Sequence, residues 1–156
     1  MHYYCLFCET QRCDMIAKLV CRTSDHLCLS PKIIQRKWVQ GEAREVVHHW
    51  LPGYVFIYTR EPINPWFPFL GIIRVLNHGE LTGQDLEFAQ MIERNQGVMG
   101  TIRLAEVGDR CTIADPAWEG LHGRIIHMDR ERKRVQVEFD FDDNTHTVWV
   151  GYELFR

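Results

Sequence analysis

The stretch from Leu51 to Ile57 constrains the fold more than any other part of this sequence, because it reads Leu-Pro-Gly-Tyr-Val-Phe-Ile. Its second half is apolar and rich in β-branched and aromatic residues, which predicts a buried or half-buried strand. Pro52 and Gly53 predict a turn in front of that strand, because proline fixes its own φ and glycine adopts backbone angles that other residues avoid. The rest of the first half of the chain is therefore expected to pack around this strand.

Length and composition are those of a globular protein without a membrane anchor. The chain has 156 residues, enough for one ordinary domain or two small ones, and 46% of them are hydrophobic while 25% are charged. No stretch reaches the ~18 to 20 apolar residues that a membrane span needs. The first residues, Met1 to Cys5, lack the basic and then apolar order of a signal peptide. We therefore expect a cytoplasmic monomer with no membrane partner.

The charge is unevenly distributed along the chain. Residues 1–103 contain 11 Lys+Arg and 10 Asp+Glu, a net charge of +1, whereas residues 104–156 contain 7 and 11, a net charge of −4. The weakly acidic net charge argues against nonspecific binding to nucleic acid. It is compatible with a local basic patch on the surface.

Six cysteines in a cytoplasmic chain are expected to be free thiols. Cys5 and Cys8 form a CxxC pair, which is a pattern of zinc and redox sites. They fall in a predicted strand, where side chains three positions apart point to opposite faces. The other cysteines supply no second CxxC, so the sequence predicts no metal site and no cofactor.

Hydrophobic periodicity predicts the elements before the central strand. Residues 3–8 read as a strand, and the apolar spacing in residues 10–22 predicts an amphipathic helix. Residues 27–32 and 33–39 are expected to form strands, and residues 45–50 return toward Leu51, which favours a hairpin.

The region after the central strand alternates between breakers and apolar runs. Prolines between residues 61 and 69 permit one or two helical turns capped by Asn64, with Trp66 and the nearby phenylalanines packed on the sheet. Residues 72–76 predict a strand, and Thr82 with Asp85 predicts a capping box at the start of a second helix.

Two glycines within residues 96–103 predict a linker, with one domain at residues 1–95 and another at residues 104–156. The second domain shows short strands at residues 107–113, 124–128, 135–139, 145–150 and 152–155. Short strands at this density favour a small SH3-like β-barrel. The predicted fold class is therefore α+β.

The order of these elements resembles the NusG/Spt5 family of transcription elongation factors over essentially the whole chain. The specific matches are Leu51 to Ile57 and the frame Val-Gly-Asp-x-x-x-Ile at 107–113. After a glycine-containing loop, Gly-x-Ile-x-x-Met-Asp at 123–129 completes a KOW-like motif. The resemblance implies an amino-terminal NusG-type domain, an antiparallel sheet flanked by helices, followed by a KOW barrel.

The resemblance also implies a first set of binding residues. The first domain would bind the clamp coiled coil of bacterial RNA polymerase through Tyr3, Tyr4, Leu51, Tyr54 and Phe56. An apolar ridge such as a coiled coil suits a concave, aromatic-lined surface. Tyr54 is expected to be exposed, because a tyrosine hydroxyl prefers a wet edge. The alternative is that these aromatic residues form ordinary core.

The barrel carries a second set of candidate residues. The segment 129–134 has four basic residues in five positions, which resembles the LoaP paralogues of the family, antitermination factors that recognise RNA. The predicted nucleic-acid-binding residues are Arg124, Arg130, Arg132, Lys133 and Arg134. The loop with Trp118 and Leu121 would contact a ribosomal protein or a termination factor, and Trp118 is also a candidate for stacking on RNA bases. A basic tract in a turn is equally a solvated hairpin tip.

Three functions remain open from the sequence. The first is a LoaP-type elongation and antitermination factor that binds polymerase and an RNA hairpin. The second is a housekeeping NusG-like factor that couples polymerase to the ribosome or to a termination factor. The third is an enzyme with Cys5, Cys8 or Cys13 as its nucleophile, although no histidine can be paired with a cysteine from sequence. Phosphate loops, zinc-protease helices and nucleophile elbows are not found, so we favour a protein that is not an enzyme.

Overall fold

The computed structural model describes residues 1–24 and 26–155, and it has the predicted α+β architecture. Arg156, the last residue of the predicted barrel, lies outside the described residues. The first half of the chain contains, in order, β1 (His2–Cys8), α1 (Cys13–Ser24), β2 (Leu27–Leu29), β3 (Lys32–Val39), β4 (Glu42–His49), β5 (Tyr54–Thr59), β6 (Ile72–Val75), α2 (Gly83–Arg94) and β7 (Val98–Met99). The second half contains β8 (Ile102–Val107), β9 (Arg110–Ile113), β10 (Gly123–Asp129), β11 (Arg134–Phe141) and β12 (Asn144–Phe155).

The predicted strand after Pro52-Gly53 is β5, and it is fully buried along its length. It lies inside a four-stranded antiparallel sheet with the order β2-β5-β1-β6. Its side chains alternate between two cores, as the period of a strand requires. One core lies against α1, and the other lies against α2 and the barrel.

Gly53 is required at the entrance to β5. Its φ is +95°, and a Cβ atom there would lie 2.7 Å from the carbonyl oxygen of Cys8. The Cys8 amide donates to the Gly53 carbonyl at 2.7 Å, so the turn is fastened to the end of β1. Glycine is therefore needed both for its backbone angle and for the close approach.

The predicted hairpin is confirmed as β3 and β4, which pair in register from Lys32↔His49 to Val39↔Glu42. Strand β7 pairs in parallel with the start of β3, so the glycine-containing segment after α2 carries a short strand of its own. The division of the chain into two domains at this segment stays a prediction.

The second half forms the predicted small barrel, with the strand order β10-β11-β12-β8-β9. Strand β12 is one continuous strand of 12 residues, whereas the sequence predicts two strands separated at Gly151. Strand β8 begins at Ile102, five residues before the strand predicted at 107–113, and it pairs in parallel with the end of β12.

Two further local predictions are wrong. The proline-rich segment forms no helical turn, and Trp66 is 54% exposed, although Phe67 and Phe69 do pack beside the α1 core. Thr82 is the N-cap residue of α2, but its side chain makes no capping hydrogen bond. Asp85 accepts instead from the backbone amide of Asp142, at 3.1 Å, because the barrel lies against this end of the helix.

Within the part of the chain that the structure describes, neither α1 nor α2 has the length and the apolar surface of a membrane-spanning helix.

Candidate functional site: an aromatic face covered by the barrel

Four of the five residues predicted to bind polymerase share one side of the central sheet. Tyr3, Leu51, Tyr54 and Phe56 belong to the core that faces α2 and the barrel, and we call this set the aromatic face. Tyr4 belongs to the opposite core, under α1. Its hydroxyl donates to Glu80 at 3.3 Å and accepts from the amide of Ile63 at 3.0 Å. Tyr3 and Tyr4 therefore do not share a surface, because neighbours in a strand point to opposite faces.

The expectation that Tyr54 is exposed is wrong, since only 6% of its surface reaches solvent. The β11–β12 hairpin of the barrel covers it. Its ring packs against Phe141 with a centroid separation of 5.1 Å, and its hydroxyl donates to Oδ2 of Asp142 at 2.9 Å. The wet edge that a tyrosine hydroxyl prefers is replaced here by a carboxylate from the barrel.

Asp142 connects three residues of the first half of the chain. Its carboxylate accepts from Tyr54 and from the guanidinium of Arg74, and its amide donates to Asp85. The hydrogen bond with Asp142 raises the pKa of Arg74, so the guanidinium is held in its charged form. Burial raises the pKa of Asp85, and the negative charges of Asp142 and Asp143 raise it further. The hydrogen bond from the Asp142 amide acts in the opposite direction and lowers it. These hydrogen bonds thus attach Asp142, at the tip of the β11–β12 hairpin of the barrel, to the first half of the chain.

A second aromatic cluster holds the loop before β10. Trp118 is 2% exposed, and its ring lies 5.5 Å from that of Trp50. Trp50 also contacts Phe88 of α2 and Phe139 of β11. The predicted partner loop therefore contacts the first half of its own chain, and Leu121 packs at the edge of the same core. Trp118 is not available for stacking on RNA in this arrangement.

Backbone contact between this loop and α2 is close. Gly120 has a φ of +104°, and a Cβ atom there would lie 2.6 Å from the carbonyl oxygen of Glu87. Asn95 donates to the carbonyl of Ala117 at 2.8 Å, and the ring of His122 meets the Glu87 carboxylate. Only glycine permits this approach, so the loop sequence is fitted to the docked arrangement.

The predicted nucleic-acid-binding residues fall into two places. Arg130, Arg132, Lys133 and Arg134 lie in or next to the turn between β10 and β11, and all but Arg134 are exposed. The Arg134 guanidinium lies over the ring of Trp149 at 4.5 Å. Arg124 is separate, because it lies in β10 and pairs with Glu138 at 2.8 Å.

Cys13 has a histidine neighbour that sequence reasoning could not find. Its Sγ lies 4.0 Å from Nδ1 of His49, whose Nε2 lies 3.1 Å from Asp14. These side chains are also a set of metal-type donors, with ligand atoms within 4.8 Å of one another. However, Cys13 donates to the carbonyl of Thr10 at 3.1 Å, and Lys32 Nζ lies 2.8 Å from Asp14 and 3.1 Å from His49. The lysine cation already balances the carboxylate, and the shorter contact of the thiol is with the Thr10 carbonyl rather than with the histidine.

Other cysteines are made less reactive by burial. Desolvation raises the pKa of the Cys8 and Cys28 thiols to about 12, and it raises the pKa of Cys5 as well. A thiol is nucleophilic only as its thiolate, so these three side chains are poor nucleophiles near neutral pH.

The comparisons with known proteins point to one fold. No protein-family model matches the chain, and no curated protein matches it. A solved structure described as "Domain interaction in Thermotoga maritima NusG" matches with a TM-score of 0.51 and 17% sequence identity, over 96% of this chain and 93% of that one. The chain therefore has a NusG-like fold along nearly its whole length.

Proposed function

We propose that this protein is a non-enzymatic transcription elongation and antitermination factor of the NusG type, which acts in the cytoplasm. It binds RNA polymerase through the aromatic face, and it binds RNA or a protein partner through its barrel. The observation that carries the proposal is the aromatic face itself, a surface of Tyr3, Leu51, Tyr54 and Phe56 on one sheet that faces a second sheet, that of the barrel.

The chemistry of this face suits the clamp coiled coil of polymerase. Aromatic anchors at the centre of an interface contribute most of the binding energy in many complexes. An apolar helical ridge is the kind of partner that such a groove accepts. In this chain the partner of the face is the β11–β12 hairpin, with Phe141 against both Tyr54 and Phe56.

Polymerase binding therefore requires the barrel to leave the aromatic face. The matched structure is described as one of domain interaction in a NusG protein, which supports an internal contact of this kind. We propose that the docked arrangement is a resting state and that the released arrangement is the one that binds polymerase.

One buried group favours release. The indole Nε1 of Trp50 is buried and has no hydrogen-bond partner among the described residues. An unsatisfied buried donor costs about 1–3 kcal/mol. Undocking would return this group to water, so the docked state contains a penalty that offsets part of its aromatic packing.

The test uses purified bacterial RNA polymerase and the full-length chain. Gly120→Ala places a methyl group against the Glu87 carbonyl and should displace the barrel, which should raise polymerase affinity. Gly108→Ala is the matched control, because Gly108 also has a positive φ, of +66°, but has no atom near the added Cβ. Tyr54→Ala, combined with Gly120→Ala, should lose the gained affinity. If neither the native chain nor Gly120→Ala binds polymerase, the proposal is wrong.

A housekeeping role is the second candidate, and the covered loop favours it. Trp118 and Leu121 would become accessible when the barrel is released, and they would then present an apolar contact to a ribosomal protein or a termination factor. Binding of Gly120→Ala, but not of the native chain, to a ribosomal protein would select this function over RNA-dependent antitermination.

A further inference from the structure

A large groove lies between the β3–β4 hairpin and the barrel, on a different part of the molecule from the aromatic face. Its volume is about 1380 Å³, above the roughly 300–1,000 Å³ of small-molecule pockets. One wall is the hairpin, and the other is the basic turn with the end of β12. Gln35 of the hairpin donates to the backbone carbonyl of Trp149 at 2.7 Å, which holds the two walls together.

The lining of this groove is basic although the protein as a whole is acidic. Six basic and three acidic residues line it, which gives a local charge of +3 against −3 for the chain. The basic residues are Arg36, Lys37, Arg130, Arg132, Lys133 and Arg134.

Two of these cations are paired with carboxylates and four are not. Arg130 lies 3.7 Å from Glu106, and Arg134 lies 3.5 Å from Asp129. The side chains of the other four make no ion pair among the described residues. Arg36 shares the groove side of the hairpin with Trp38, whereas Lys37 points to the opposite side because neighbours in a strand do. Arg36, Arg132 and Lys133 are therefore the unpaired cations that a polyanion between the walls would contact.

Exposed aromatic surface is the second feature of the groove. Trp38 lies on the hairpin wall and is 69% exposed, which is unusual for so large an apolar side chain. Trp149 lies on the other wall, between the Arg134 guanidinium and the His127 ring. An accessible indole stacks on a base that is not paired, whereas a duplex offers side chains mainly its edges and backbone.

We propose that this groove binds a single strand of RNA, with phosphates on Arg36, Arg132 and Lys133 and a base stacked on Trp38. The proposal rests on the proposed function, because transcription is what places RNA beside the protein. It extends that function because one wall of the site is the β3–β4 hairpin, which lies outside the basic tract of the barrel. An acidic peptide would satisfy the cations but would leave the indole unused.

The groove also depends on docking. Its two walls come from the two halves of the chain, so release of the barrel separates Arg36, Lys37 and Trp38 from the basic turn. Single-stranded RNA is therefore a ligand of the docked arrangement.

The experiment measures the fluorescence anisotropy of a labelled oligouridine RNA of about 12 nucleotides with the full-length chain, between about 50 and 300 mM salt. For a single strand, the logarithm of the binding constant falls with the logarithm of the salt concentration by roughly 0.7 per phosphate contact. Three contacts predict a log–log slope of about −2. Trp38→Ala should weaken binding by at least about fivefold without changing the slope, because stacking is not ionic. Trp66→Ala, another exposed tryptophan outside the groove, is the control and should bind as the native chain does.

Charge is tested by replacing Arg36 with serine, which should reduce the slope by about 0.7. Lys18→Ser, on the exposed side of α1, should leave it unchanged. Equal losses in Trp38→Ala and Trp66→Ala, or no loss in either, would overturn the proposal. The proposal would also be overturned, in favour of the competing ligand, if duplex RNA, a DNA single strand of the same length or an oligoglutamate bound more tightly than the oligouridine.

Polymerase affinity, measured in parallel without RNA, separates this inference from the proposed function. The hairpin variants leave the aromatic face intact and should bind polymerase as the native chain does. RNA binding without polymerase binding would reject the proposed function alone, and the converse would reject only the groove.

Discussion

The hydroxyl of Tyr54 donates to Oδ2 of Asp142 at 2.9 Å, across 88 positions of sequence. This bond joins the strand at the centre of the first sheet to the tip of the β11–β12 hairpin. The same carboxylate accepts from Arg74, so a single barrel residue satisfies a phenol and a guanidinium of the first half of the chain. Docking is therefore specified by polar contacts as well as by aromatic packing.

Removing this carboxylate should loosen the barrel. Asp142→Ala leaves the Tyr54 hydroxyl and the Arg74 guanidinium without their partner, and we expect docking to weaken by about 1–3 kcal/mol. Limited proteolysis in the segment between α2 and β8 should accelerate, and polymerase affinity should rise. Asp143→Ala is the control, because that side chain is exposed at the adjacent position. Unchanged proteolysis in Asp142→Ala would show that the aromatic contacts alone determine docking.

Alkaline pH should release the barrel. Burial, together with the hydrogen bond to Asp142, raises the pKa of Tyr54 above its ordinary value of 10.0. A raised pKa in the docked state means that the stabilisation is complete below pH 10.0 and is lost as the pH rises toward the docked value. Changes in tryptophan fluorescence, reporting the Trp50–Trp118 contact, should follow this release. In Tyr54→Phe this alkaline transition should disappear, since no phenol remains to ionise there.

Gly53 should be among the most sensitive positions in the first sheet. Gly53→Ala introduces a Cβ atom 2.7 Å from the Cys8 carbonyl, at a φ of +95°, and should destabilise the fold by more than about 2 kcal/mol. Gly41→Ala has a similar backbone angle, +79°, with open space around it, and should lose about 1 kcal/mol. Urea unfolding of the two variants gives the comparison. Similar losses would mean that backbone strain alone matters and that the close contact is relieved by a small shift.

Local pattern was sufficient for the elements but not for their assembly. The run from Tyr54 and the period of α1 predict a strand and a helix because their signals lie within a few residues. The prediction for Tyr54 was wrong because its partner, Asp142, is distant in sequence, and no local rule identifies it. Long-range contact also overrode the capping box at Thr82, since Asp85 is used by the barrel.

The groove was missed for a related reason. The sequence indicates the basic turn, but it does not show that Arg36 and Trp38 of the hairpin face it. A tryptophan beside two basic residues on a predicted hairpin was an available signal, although a strand pattern does not distinguish a packed indole from an exposed one. Trp118 was the opposite case. It was expected to contact another molecule, but its ring packs against Trp50 of its own chain.

Thiol reactivity should follow exposure. Cys21 is exposed, whereas Cys5, Cys8 and Cys13 are buried, so iodoacetamide near neutral pH should label Cys21 first. Peptide mass spectrometry at increasing reagent gives the order, and Cys21→Ser should abolish the fast phase. Loss of polymerase binding on labelling Cys13 before Cys21 would instead support a functional Cys13–His49 pair.

RNA and polymerase should oppose each other on the free protein. The groove requires the docked arrangement, and the aromatic face requires the released one, so each ligand selects a state that the other disfavours. Coupling of this kind is reciprocal, and values of 1–3 kcal/mol, or about 5–150-fold in affinity, are typical. Saturating oligouridine should therefore lower the affinity of the native chain for the clamp coiled coil. Trp38→Ala should need more RNA for the same effect, and Gly120→Ala, already released, should respond least. An affinity that rises with RNA would mean that RNA binds the released barrel through the basic turn alone.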